Sequence, residues 1–177
     1  MVVLVPCSTI QRIHRDRLMN IFYLDHNPVT AARYHCNKHV VKMILESAQM
    51  LCTIINEARG EQYTPYKSTH KNHPCTLWAG HSLQNALWLY DLTHALNEEY
   101  KHRFNHSVDH KSFRMLEDNN IRGYLAYYVP DGLHTPPAQA MPEYLKSDDA
   151  VFSYRLYYQL EKADLLQYTN RERPYWL

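Results

Sequence analysis

Four residues, His35, His39, Lys42 and Glu46, recur at spacings of four, three and four, and Gln49 and Thr53 continue the series. On a helix that spacing forms one continuous stripe. A carboxylate flanked by imidazoles and an ammonium group is held ionised, ready to act as a general base or as the electrostatic partner of a developing cation. The same stripe also describes an ordinary solvated face, with Lys42 and Glu46 as a common i,i+4 pair. Two histidines at i,i+4 suit a metal ion, yet HxxxH comes here without a third mapped ligand.

A second cluster, Thr69-His70-Lys71-Asn72-His73-Pro74 with Lys67 just ahead, gathers donors where a helix begins. Such loops suit phosphate or a nucleic-acid backbone, and they also serve as capped turns carrying surface histidines. It lies in a stretch between Glu61 and Asp91 that contains no acidic residue. A third group is aromatic: Tyr63, Tyr66 and Trp78, then Tyr124, Tyr127 and Tyr128, then Phe152, Tyr154, Tyr157 and Tyr158 around Arg155. Aromatic rings beside basic residues stack exposed bases, and in a small helical protein they equally fill the core. The tail residues Arg171, Arg173 and Trp176 carry the same two readings.

The elements that position these groups are helical. Val41, Ile44, Ala48, Leu51 and Ile55 recur at three and four, which predicts a helix over 36–58 with a buried face opposite the polar stripe. Gly60 ends it. Asp25-His26-Asn27-Pro28 predicts a cap and a short helix to about Tyr34, preceded by an extended or strand-like Ile21–Leu24. Pro74 opens another helix, Ser82 recaps the chain, and Leu83 to Tyr100, apolar on most sides, reads as the central helix. A helix near Lys111–Asp118 follows. Residues 119–146, with two glycines, four prolines and many aromatics, read as a long ordered loop. Ser147-Asp148-Asp149 caps a last helix to about Leu166. The class is all-α: a compact single-domain helical bundle over 19–177, with residues 1–18 as an N-terminal extension.

Bulk properties narrow the function. A chain of 177 residues with a formal charge of +1 and only 4 glycines is neither disordered nor fibrous. Its 12 histidines and 15 tyrosines supply many titratable and stacking groups. No run is apolar enough to cross a bilayer, and the start MVVLVPCSTI lacks the basic region of a signal peptide. Four scattered cysteines without a CxxC pair point to a reduced, cytoplasmic setting. The chain has no P-loop, GxGxxG, nucleophile elbow or zinc pattern, so the usual nucleotide, dinucleotide and zinc-finger readings lose support.

The run Asn37-Lys38-His39-Val40-Val41-Lys42-Met43-Ile44-Leu45-Glu46 resembles the helix of the phage pyrimidine-dimer DNA glycosylases, the endonuclease V-like family, in which a histidine precedes the catalytic glutamate by two turns. Tyr66-Lys67, Lys71-Asn72-His73-Pro74 and the later Glu98-Glu99-Tyr100 are similar to the Y-K-x-H-P segment and following helix of bacterial members. Arg173-Pro174-Tyr175-Trp176 is similar to the family's C-terminal R-P-x-W.

The resemblance implies an all-helical DNA repair enzyme that flips a base from double-stranded DNA, cleaves the glycosidic bond of a damaged or modified pyrimidine and follows with β-elimination, using no cofactor. It assigns catalysis to Glu46, with His39 positioning it or the phosphate; the stripe, the loop and the aromatic groups add His35, Lys42, Lys67, His70, Lys71, Asn72, His73, Trp78 and Arg155 as candidate substrate-binding residues. A phage-encoded member would work in the host cytoplasm. Family members use an N-terminal α-amine as nucleophile, whereas eighteen residues precede the matching segment here. Either the natural start is nearer Met19 or the amine chemistry is absent, leaving a monofunctional enzyme that uses Glu46 and water. Near-neutral charge also departs from a lesion-scanning enzyme with a basic face. Two other classes fit the residues: a non-catalytic helical protein binding a nucleotide or anion, and a metal-dependent hydrolase using His35, His39, Glu46, His70 or His73.

Overall fold

The computed structural model describes residues 19–177, so the extension proposed for residues 1–18 and the thiol of Cys7 lie outside the described residues. Helices α1 (Pro28–Tyr34), α2 (Asn37–Arg59), α3 (Pro74–His81), α4 (Leu83–Phe104), α5 (Lys111–Asp118), α6 (Ile121–Tyr128) and α7 (Ala150–Glu161) follow in order, with 3₁₀ turns at Glu143–Leu145 and Ala163–Leu165. No strand occurs among the described residues; Ile21–Leu24, expected to be extended or strand-like, instead turns at Phe22, where the Leu24 amide donates to the Phe22 carbonyl.

Most helix ends match the local chemistry of the sequence. Asn27 accepts from the amides of Val29 and Thr30 ahead of Pro28. Gly60 closes α2 at φ 72°, a left-handed conformation that glycine adopts at no steric cost. His73 caps α3 through the Cys75 amide, Ser82 caps α4 through Asn85, and Asp149 caps α7 through Phe152.

The long helices α2 and α4 share the most extensive packing, and α1, α3, α5 and α6 are arranged around them. Ile44, Ala48, Leu51 and Ile55 are fully buried, as their spacing predicts. Burial of α2 goes further than one face, however. Thr53 and Asn56 are also buried, and His39 is 4% exposed, so the polar stripe is not a solvated surface along its length. Val41, placed on the core face by periodicity, is 38% exposed alongside Leu45, one turn later on the same side.

Residues 119–146 do not form one loop, because α6 occupies Ile121–Tyr128 despite Gly123. The glycine is accommodated by its neighbour: the Asn120 side chain folds over it, and a Cβ there would come within 2.5 Å of Asn120 Nδ2. The ordered loop is the shorter segment 129–142, a strap whose carbonyls are collected by other elements. Ser82 Oγ donates to Leu133, Trp78 Nε1 to Thr135, Tyr154 to Ala138 and Asn20 Nδ2 to Ala140. An irregular segment is held this way because every buried backbone group needs a partner. The last helix ends at Glu161, and 3₁₀ geometry takes over before Leu166.

Candidate active site

Glu46 sits where α2 passes beneath the segment Met19–Leu24. Its side chain is 13% exposed and pairs with Lys42 Nζ at 3.1 Å through Oε1. The other oxygen, Oε2, accepts the backbone N–H of Asn20 at 3.3 Å. The carboxylate is therefore oriented from both sides, by an ammonium group on its own helix and an amide from the opening segment.

That segment is pinned by its own side chains. Asn20 Oδ1 accepts the amides of Ile21 and Phe22 at 2.8 and 3.0 Å, while Asn20 Nδ2 reaches the strap at Ala140. Phe22 adopts φ 40°, which a bulky residue holds only when its surroundings enforce it. Its ring is stacked on His39, with centroids 4.2 Å apart and planes inclined by 16°, and meets Tyr158 edge-on, while its amide is held by Asn20.

His39 is thus part of the support beneath the site. Its Nδ1 hydrogen-bonds the Tyr158 hydroxyl at 2.5 Å, and burial, with nearby positive groups adding, pushes its pKa down to about 2. His35 is fully buried; its Nδ1 donates to the Ala31 carbonyl, which leaves Nε2 with a lone pair and no partner. Burial drives that imidazole down to about 4. Both rings are neutral at physiological pH.

Cys75 lies close enough to feel the Glu46 charge. Burial chiefly, with that charge adding, raises its thiol to about 12. Cys36, Cys52 and Cys75 are free and buried.

The basic loop is docked farther along α2. Thr53 Oγ1 donates to the carbonyls of Gln49 and Thr69 and accepts the Thr69 amide. Asn56 Oδ1 collects the amides of Tyr63 and Thr64, and Asn56 Nδ2 donates to the Tyr66 carbonyl. These anchors leave Lys67, His70, Lys71 and Asn72 exposed and His73 half-buried. Lys71 pairs with Glu57 at 3.3 Å.

Trp78 and Arg155 lie in other clusters. Trp78 is 6% exposed and meets Tyr23 and Trp88 edge-on. Arg155 donates to the Leu24 carbonyl, to Asp25 at 3.0 Å and to the Tyr175 hydroxyl, and its guanidinium lies against Tyr34, Tyr175 and Trp176. It ties α7 and the tail to the opening segment.

Asn20, Phe22 and Tyr158 complete the site; sequence reasoning gave Asn20 and Phe22 no role and placed Tyr158 with the rings around Arg155 rather than against His39. Asn20 and Phe22 stand in a short run without period, and Tyr158 is 119 positions from its partner His39. Among the described residues no three His, Cys, Asp or Glu side chains gather so as to hold a metal ion. The five residues weighed for a hydrolase therefore do not form a metal centre.

No curated protein and no solved structure matches this chain. A family match does exist, and it covers residues 19–112, just over half of the chain, from the opening segment through α1–α4 into α5. Those residues include Asn20, His39, Lys42, Glu46 and the docked basic loop, so the matched region carries the carboxylate and both of its polar partners, while Tyr158 and Ala140, which support them, lie beyond it. The chain belongs to the pyrimidine dimer DNA glycosylase family.

Proposed function

We propose that this protein is a DNA N-glycosylase for damaged or modified pyrimidines that goes on to cleave the strand at the resulting abasic site, with Glu46 at the reacting sugar. The observation that carries the reading is the setting of Glu46. It is a largely buried carboxylate, oriented by the Asn20 amide and Lys42, on the same helix that anchors a loop of exposed lysines and histidines farther along. A carboxylate so fixed stabilises positive charge developing at C1′ as the base departs, without having to reorganise first.

The residues around it divide by position. Lys67, His70, Lys71, Asn72 and His73, on a loop anchored to the same helix, face the phosphates of the duplex. His35, His39, Trp78 and Arg155 act from within the fold, keeping α2 and the opening segment in register beneath the substrate.

The test is base release and strand scission from ultraviolet-irradiated duplex compared with undamaged duplex, using chains that start at Met1 and at Met19. Glu46→Gln is expected to lower turnover by about 100-fold or more while leaving binding to damaged DNA in place. Release of no base from either chain would overturn the reading, and binding without any release would favour a non-catalytic DNA- or nucleotide-binding protein. Turnover surviving in Glu46→Gln would remove Glu46 from the chemistry.

A further inference from the structure

We infer that Tyr23, His26 and His134 form a binding site for one divalent transition-metal ion, with zinc as the ion whose ligand spacing they match. The inference is independent of the glycosylase reading and concerns side chains other than those that orient Glu46. The Tyr23 hydroxyl lies 3.0 Å from His134 Nε2 and 3.5 Å from His26 Nδ1. Neighbouring ligands of a tetrahedral zinc ion, each roughly 2.0–2.1 Å from the metal, stand about 3.3 Å apart. The two measured separations bracket that spacing. Tyr23 and His26 lie three positions apart on the segment leading into α1, and the strap supplies His134, 111 positions after Tyr23. Two imidazoles and a phenol make a donor set distinct from the clusters of histidine, cysteine and carboxylate that are absent among the described residues.

The protonation states favour exchange of a proton for an ion. A phenol carries one proton and donates it to only one of the two nitrogens, whereas an ion in its place is shared by both. Burial, with the Asp25 charge adding, pushes the Tyr23 hydroxyl up to about 12, and burial lowers His134. Without the ion, Tyr23 is therefore a neutral phenol beside a neutral His134 at physiological pH. On binding, the phenol proton leaves to solvent, and lone pairs of the phenolate, Nε2 and Nδ1 form three bonds to the metal with no change of oxidation state. Water fills the fourth position. Asp25 is not that ligand, because its carboxylate is committed to Arg155 and the Asn27 amide.

The surroundings hold the oxygen and leave the approach open. Tyr23 is 1% exposed, with its ring stacked on Trp88 at 4.3 Å between centroids, and Trp78 meets the His134 ring edge-on. His26 and His134 are exposed, so the ion enters from solvent. Occupancy would fasten the strap to the opening segment, two segments that Asn20 already links at Ala140. An ion bound only by the folded chain stabilises it.

Zinc titrated into the full chain, stripped of metal by a chelator, tests the site by calorimetry in two buffers of different ionisation heat, beside near-ultraviolet difference spectra. A tyrosinate band is expected to saturate with one equivalent and release of about one proton, and affinity should rise with pH. Zinc held elsewhere by histidines gives no such band. Tyr23→Phe keeps the ring and should abolish the band. His134→Ala and His26→Ala, at exposed positions, should each weaken binding by about 10-fold or more, while His81→Ala leaves it unchanged. Thermal melts without zinc check that each variant is folded. Zinc binding without a tyrosinate band, undiminished affinity in His134→Ala, or no binding at millimolar zinc would overturn the site. Base release from irradiated duplex is scored separately and bears only on the Glu46 reading.

Discussion

Glu99 shows how one buried residue sets the frame for the site. Its carboxylate accepts from Arg103 at 2.8 Å and from Arg171 at 2.6 and 3.0 Å, and Arg103 in turn donates to the carbonyls of His35 and Arg33. This network ties α4 to the junction of α1 and α2 and draws in the C-terminal tail. Arg103 is 1% exposed, so it depends on Glu99 for charge balance. Removing one partner of a buried pair strands the other, and Glu99→Ala should cost about 3–5 kcal/mol in urea unfolding. Arg171→Ala, at a partly exposed position, should cost much less. Equal losses in the two variants would show that the network is not centred on Glu99.

Among the elements, the loop between α2 and α3 has the clearest link from packing to binding. It forms no regular structure over most of its length, and Asn56, Thr53 and Thr64 satisfy its backbone instead. Asn56→Ala removes a buried acceptor shared by two amides and a hydroxyl, leaving those groups unpaired. The expected loss is about 2 kcal/mol or more. Because the loop presents Lys67, His70 and Lys71, the same variant should weaken binding to duplex DNA without altering the Glu46 pair. Titration of a labelled duplex beside a thermal melt checks both effects, and unchanged DNA affinity would separate the loop from substrate binding.

At the scale of the whole molecule, stability should fall steeply in acid. His35 and His39 are neutral in the folded chain, with pKa values lowered to about 4 and about 2, whereas in the unfolded chain each protonates near its ordinary value of 6.5. Below pH 6.5 the unfolded state therefore binds more protons, and stability is lost as pH falls, by about 1.4 kcal/mol per pH unit for each histidine. The loss from His35 levels off near pH 4, while that from His39 continues below it. Urea unfolding at pH 7 and pH 5 measures the slope, and His39→Gln should remove one histidine's share. A slope unaffected by that variant would mean that His39 is not held neutral by the fold.

Much of this protein is legible in its residues taken in order. Caps, prolines and Gly60 mark helix ends because they act on neighbouring backbone groups, and the spacing from Lys42 to Glu46 fixes their pairing because one turn of helix does. The relation of His39 to Glu46 is likewise a property of a single element. Tertiary structure decided what surrounds them. Burial of His35 and His39 depends on Phe22 and Tyr158, and the orientation of Glu46 depends on Asn20, 26 positions earlier. Gly123 leaves room inside α6 for the Asn120 side chain, a fit its sequence neighbours do not announce, and Arg155 became a brace because Leu24, Asp25 and the tail converge on it. Periodicity reports which side of a helix is apolar; only the folded chain determines how many neighbours close over the other side, and that closure set the charge state of the histidines.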